Sequence, residues 1–133
     1  MKTTAGDIMS TELLTIQEKS SIGDALKILI NNRITGLPVL DKKGKMIGVL
    51  SEFDILRQIH KAKSMKAESF LDPIQFSRKL DSVEASAPLE EVVHRFLDTK
   101  YRRLPVTDKA GRLKGIITRR DLMRVFFYRA ALS

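Results

Sequence analysis

Cysteine and tryptophan are absent from the 133 residues, and the only histidines are His60 and His94. The missing cysteine excludes disulfide staples, thiolate nucleophiles and Cys-ligated zinc, and two histidines far apart in sequence make no metal motif. No apolar run approaches the ~18 residues of a bilayer-spanning helix, and Met1–Ser10 lacks the apolar core of a secretory signal. A cytoplasmic location and no membrane partner are the expectations that follow. Aromatic residues make up 6% of the chain, which weakens any case for a base-stacking surface.

What is present has an ordinary globular balance, 43% hydrophobic and 30% charged, so a folded domain is expected. The formal charge of +8 implies attraction to phosphate groups, nucleic acid or an acidic protein surface. Lys42, Lys43 and Lys45 surround a predicted turn and read as a solvated hairpin tip.

The chain is organised by an internal repeat. At an offset of about 67 residues, Leu37-Pro38-Val39 aligns with Leu104-Pro105-Val106 and Asp41-Lys42 with Asp108-Lys109. Gly44 then meets Gly111, Gly48 meets Gly115, Ser51 meets Thr118 and Asp54 meets Asp121, while intervening apolar positions stay apolar.

Each copy opens on a short segment, Thr15-Ile16 or Ser82-Val83. A helix follows, with apolar residues at helical spacing: Ile22, Ala25, Leu26 and Leu29 after the candidate caps Ser20 and Ser21, or Leu89, Val92, Val93 and Phe96 after Pro88. Two β-rich runs then flank a glycine-bearing turn, and a second helix begins near Ser51 or Thr118. The unit reads β-α-β-β-α, so an α+β fold of two repeats is expected. Residues 1–66 form the first repeat with its N-terminal segment, 67–80 a linker, and 81–133 the second repeat with a C-terminal helix.

The signatures Gly48-x-x-Ser51-x-x-Asp54 and Gly115-x-x-Thr118-x-x-Asp121 place a hydroxyl at a helix start and an acid one turn later. Such a hydroxyl caps free N–H groups, the helix N-terminus stabilises phosphate, and the carboxylate offers two acceptors to a vicinal diol such as ribose. The same residues would also satisfy a capping box with no ligand. Their recurrence after a Leu-Pro-Val strand in both copies favours a ligand site.

In order and spacing, these motifs, with Asp7-Ile8-Met9 and its degraded echo Asp72-Pro73-Ile74, resemble the CBS domain family over nearly the whole chain. The resemblance implies a tandem pair related by pseudo-twofold symmetry, with adenine nucleotides (AMP, ADP or ATP) held as regulatory ligands in clefts between the repeats. By it, Asp54 and Asp121 would bind ribose hydroxyls and Ser51 and Thr118 would approach phosphate. Thr15, Ser82, Gly36, Leu37, Pro38, Leu104 and Pro105 would frame adenine. Arg102, Arg103 and Arg120 match positions that contact phosphate in the family, whereas Arg119 and Arg124 read as surface residues. Thr35, Gly36, Glu52 and Phe53 stand at the corresponding places of the first half, which therefore lacks a comparable phosphate clamp.

No nucleophile–base pair, metal cluster or P-loop is present, so no catalysis and no catalytic cofactor are expected. The expected mechanism is a ligand-dependent shift between arrangements, read by a regulated protein partner. The apolar residues Leu122, Met123, Val125, Phe126 and Phe127 cover more than one face of the final helix and are expected either to pack within the monomer or to meet another chain, and the family resemblance implies a homodimer. Two alternatives stay open: a basic module binding nucleic acid or an acidic protein without nucleotide, and an adenosyl sensor for S-adenosylmethionine, NAD or a dinucleotide.

Overall fold

The structure is a computed structural model that describes residues 3–62, 67–99 and 102–132. The chain resolves into two compact units, Leu14–Leu80 and a discontinuous one made of Met1–Leu13 with Asp81–Ser133. The first contains β1 (Ile16–Gln17), α2 (Ile22–Asn32), β2 (Gly36–Leu40), β3 (Met46–Ser51) and α3 (Glu52–Ala62), followed by a 3-10 turn at Ala67–Leu71. The other contains α1 (Ala5–Ile8), β4 (Val83–Glu84), α4 (Leu89–Thr99), β5 (Arg103–Thr107), β6 (Leu113–Thr118) and α5 (Arg119–Leu132). Each unit holds one three-stranded sheet, ordered β1-β2-β3 or β4-β5-β6. The first strand of each runs parallel to the central one and the third antiparallel to it.

The repeat expected from sequence governs this architecture. Ile16, Ala25, Leu29, Leu37, Val39, Leu50 and Ile55 are buried in one core, and Val83, Val92, Phe96, Leu104, Val106, Ile117 and Leu122 occupy the corresponding places in the other. Ala25 against Val92 and Leu29 against Phe96 show that each core fills its volume with its own mixture of sizes. Both hairpin turns use a left-handed glycine, Gly44 at φ +80° and Gly111 at φ +86°. Asp41 and Asp108 set those turns: the Oδ1 of each accepts two backbone N–H bonds at 2.9 Å, from Lys43 and Lys45 or from Ala110 and Arg112. Ser21, rather than Ser20, caps α2, accepting a bond from the Asp24 N–H at 3.1 Å.

The compact units divide the chain elsewhere than the expected repeat boundaries. Residues 1–13 belong with the second half: Ala5 is buried in its core, the N–H groups of Ala5 and Gly6 donate to the carbonyls of Ala87 and Ala85 at 2.8 Å, and Ser10 pairs with Ile116. Nor is 67–80 a free linker. Ile74 is buried in the first-half core, the Ile22 N–H donates to the Asp72 carbonyl at 2.9 Å, and Ser77 pairs with Val49. Residues 63–66 lie outside those described.

The physical reason lies at one glycine in each third strand. A Cβ on Gly115 would overlap the Met9 side chain, lying 2.6 Å from its Cγ. One on Gly48 would overlap the Ser77 carbonyl and lie 2.6 Å from Phe76 Cδ2. The glycines are seats for the incoming segments. The counterpart of Met9 is therefore Phe76, not a residue of the Asp72-Pro73-Ile74 echo.

Gly115→Ala is expected to cost about 1–3 kcal/mol in urea unfolding, and Met9→Ala in that background should recover part of it, because only a side chain obstructs the new methyl. Gly48→Ala should be rescued less by Phe76→Ala, since the Ser77 backbone stays in the way. Equal rescue at both seats would contradict this account.

Candidate functional site

Each third strand runs straight into the following helix, Ser51 into Glu52 and Thr118 into Arg119. The two junctions have one geometry. The Ser51 N–H donates to Asp54 Oδ2 at 2.8 Å, and the Asp54 N–H donates to Ser51 Oγ at 3.2 Å. Thr118 and Asp121 repeat this at the same two distances. The reciprocal box satisfies N–H groups that a helix start leaves without intrahelical partners. It also holds each carboxylate by one oxygen and turns the other outward. Asp54 Oδ1 lies 3.4 Å from Arg57 Nη1 and Asp121 Oδ1 lies 4.0 Å from Arg124 Nη1, with the carboxylate side chains 15% and 19% exposed.

Similar boxes recur at Thr4–Asp7 and Ser21–Asp24. Capping alone would thus account for the hydroxyl and the acid. The Asp54 and Asp121 boxes each sit at a strand-to-helix junction that borders a groove, and the Thr4–Asp7 box adds its own carboxylate to the second of these grooves. The Asp54 groove, about 270 Å³, is also lined by Arg57, Lys61, Gln75, Phe76 and Ser77. The Asp121 groove, about 330 Å³, is also lined by Asp7, Ile8, Arg124, Val125, Tyr128 and Arg129. The two are repeat-related, for Arg57 corresponds to Arg124, Lys61 to Tyr128 and Gln75 to Ile8. In both, the incoming segment forms one wall. A backbone N–H bond from Thr4 holds the Asp7 carboxyl below its ordinary range, so it faces its groove ionised.

The strand register adds one difference. Gly36 lies opposite Ser51, whereas Arg103 lies opposite Thr118, so the second hydroxyl has an arginine on the neighbouring strand and the first has none. Arg102, Arg103 and Arg120 are exposed and line neither groove. Leu37 and Leu104 are only 1% exposed, their side chains in the cores, so only their backbones are available to a ligand. Pro38 and Pro105 are buried, Thr15 and Ser82 are half-buried just before the first strands, and none of the four lines a groove. Arg124, expected on the surface, is exposed but pairs with Asp121 and lines its groove. The sequence reading missed Arg57, Lys61, Gln75 and Ser77 on one side, and Asp7, Ile8, Tyr128 and Arg129 on the other. A usable signal was Ser10 with Ser77, which stand at the repeat offset. Among the described residues no group of acids and histidines is placed to hold a metal ion, and no helix is long and apolar enough to cross a membrane.

The family model for the CBS domain matches residues 5–61 and 74–128. The chain is similar to the CBS domain-containing protein CBSX1, chloroplastic, of Arabidopsis thaliana, with 33% identity over 91% of this chain and 63% of that protein. It spans 22% of the inosine-5'-monophosphate dehydrogenase of Aquifex aeolicus, at 30% identity over 84% of its own length. The chain therefore covers less than two thirds of these relatives. Among solved structures it resembles CBSX2 in complex with AMP, with a TM-score of 0.79 and 31% identity over 96% of this chain and 98% of that one. It also resembles the CBS domain pair of protein MJ0100 in complex with 5'-methylthioadenosine and S-adenosyl-L-methionine, with a TM-score of 0.72 and 28% identity over 97% and 99%.

Because each box closes a helix start, Asp54→Ala and Asp121→Ala should each lower stability by about 1 kcal/mol, and the corresponding Asn variants, which keep an acceptor oxygen, should recover most of it. Unchanged urea midpoints in the alanine variants would show that the boxes contribute nothing.

Proposed function

We propose, from the premise that this chain belongs to the CBS domain family and carries two of its repeats in tandem, that it is a regulatory module. It binds an adenosine-containing ligand beside Asp54 and Asp121 and passes a change of conformation to a partner protein. The observation that carries this reading is the duplicated box with its groove: twice, a carboxylate is fixed by one oxygen and presents the other at an open edge. The Oδ1 atoms, now facing Arg57 and Arg124, are the acceptors on which vicinal ribose hydroxyls would bind. Support comes from the ligands of similar proteins, AMP in CBSX2 and 5'-methylthioadenosine with S-adenosyl-L-methionine in the MJ0100 pair, all of which contain adenosine.

The ligands proposed for this chain are AMP, ADP or ATP. Arg103 on the strand beside Thr118, with Arg102 and Arg120 nearby in sequence, favours a phosphorylated adenosine at the second-half site. The output is a redistribution of conformations rather than a reaction: a ligand that binds one arrangement better than another draws the population toward it, by no more than its differential affinity.

Calorimetric titration with adenosine, AMP, ADP and ATP should show affinity rising with phosphorylation. Asp121→Ala should weaken binding by about tenfold or more, the worth of hydrogen bonds to a charged group. Equal affinities in wild type, Asp54→Ala and Asp121→Ala would refute the ribose contact. A thermal-shift screen that includes S-adenosylmethionine and NAD separates the candidate ligands, since the one bound most tightly stabilises the fold most at equal concentration.

Self-association through the helices belongs to the same proposal. Ile30 and Leu97, at corresponding positions on α2 and α4, are 68% and 71% exposed, Leu56 and Met123 correspond on α3 and α5, and Phe126 and Phe127 extend the apolar surface. Light scattering should give twice the chain mass, and Leu56→Glu with Met123→Glu should reduce it to one chain. A wild-type protein that stays monomeric at high concentration would remove the dimer.

A further inference from the structure

The sequence reading gave the first half no phosphate clamp, because glycine and threonine stand where the second half has Arg102 and Arg103. The groove beside Asp54 nevertheless has a cationic lining from a different source. Arg57 and Lys61 stand one turn apart on α3 and face a single carboxylate, that of Asp54. Arg57 is paired with that carboxylate at 3.4 Å, while Lys61 has no carboxylate partner among the described residues. The opposite wall is polar and pinned. Gln58 donates through Nε2 to the Pro73 carbonyl at 2.9 Å and accepts the Gln75 N–H at 3.1 Å, which fixes the Gln75–Ser77 strip against α3. Ser77 Oγ accepts the Lys79 N–H at 3.3 Å, leaving its own O–H to donate. The guanidinium of Arg78 lies 4.9 Å from the centre of the Phe76 ring, outside the residues that line the groove.

The repeat-related groove has the opposite character. There Lys61 is replaced by Tyr128, Gln75 by Ile8 and Gln58 by Val125, and two arginines face two carboxylates, Asp7 and Asp121. Arg129 is further engaged with the Thr3 hydroxyl. One fold position has thus been made cationic and hydrogen-bonding in one unit, and apolar-walled and charge-balanced in the other. Compact polyanions are bound by such convergent ammonium, guanidinium and hydroxyl donors.

We infer that the Asp54 groove is an anion site for a phosphate or diphosphate group, held by Lys61, Arg57 and Ser77. It shares the Asp54 site with the proposed function but requires only the groove's own charge and donors. A nucleotide seated there would direct its phosphates along α3, away from the strand position that Arg103 occupies in the other unit.

The test is titration of the full chain with inorganic pyrophosphate, followed through the backbone amide resonances of Gln75, Phe76 and Ser77 so that this groove is read separately from any other. Lys61→Gln should weaken the binding several-fold and Arg57→Gln with Lys61→Gln about tenfold or more. Lys42→Gln, the same charge change at the hairpin tip, should leave it within twofold. Raising the salt should weaken binding to wild type more than to the double variant. Pyrophosphate affinity at these amides that is unaffected by Lys61→Gln and by the double variant, or no response at millimolar pyrophosphate, would overturn the inference. Adenosine is titrated in parallel. If the variants keep adenosine binding while losing pyrophosphate, the loss is located at the anion. If wild type binds pyrophosphate in a Lys61-dependent way but neither adenosine nor AMP, the anion site stands and the adenosine reading falls.

Discussion

At Gly48 and Gly115 the lack of a side chain lets a segment from elsewhere in the sequence lie flat against the third strand of each sheet, and much of what distinguishes the two units follows from which segment arrives. A sheet of three strands, two of whose members in each unit are long enough to matter, leaves its outer edge and part of its apolar face uncovered. Phe76 and Met9 cover that face, and the Ser77 and Ser10 backbones pair with the edge at Val49 and Ile116. A side chain at either glycine would crowd these segments, so the backbone choice at two positions helps set where the residues of each segment belong.

The same arrangement shapes the chemistry. The third strand ends in a hydroxyl residue that opens the next helix, and the incoming segment passes beside that junction, so each groove has one wall from the helix and one from the visiting chain. The helix walls descend from the duplicated unit and keep their Asp and Arg. The visiting walls do not match: Asp7 and Ile8 come to one groove, Gln75 and Ser77 to the other. Two sites that look alike in the repeat are therefore unlike in charge, and duplication has yielded a pair of related but separately tunable pockets.

Much of this was legible in the sequence. Helical spacing marked α2 and α4, the Asp-x-x-Gly turns marked the hairpins, and the paired Gly-x-x-Ser/Thr-x-x-Asp segments marked the junctions, because each of these depends on residues adjacent in the chain. The docking of residues 1–13 and 67–80 was not legible. Segments that contribute two isolated β-bridges and a four- or five-residue helical turn carry no periodicity to read. Met9 and Phe76 perform one task with different side chains, which hid the correspondence. Arg57 and Lys61 look like any solvent-facing cations on a helix until the Gln75–Ser77 strip is laid opposite them. Asp41 and Asp108 were seen as repeated letters, and the structure gives their reason in the backbone bonds they accept.

The unequal continuity of the two units has a consequence for how the protein comes off the ribosome. Leu14–Leu80 is one unbroken stretch, able to reach its final contacts as soon as its last residues emerge, with its partners all inside that stretch. The other unit cannot be finished until β6 and α5 have been made, because Ala5 must wait for a core that runs from Val83 to Leu122, and Met9 for Gly115. Translation thus imposes an order, one body before the other, and leaves the N-terminal segment exposed as the last piece to be stowed.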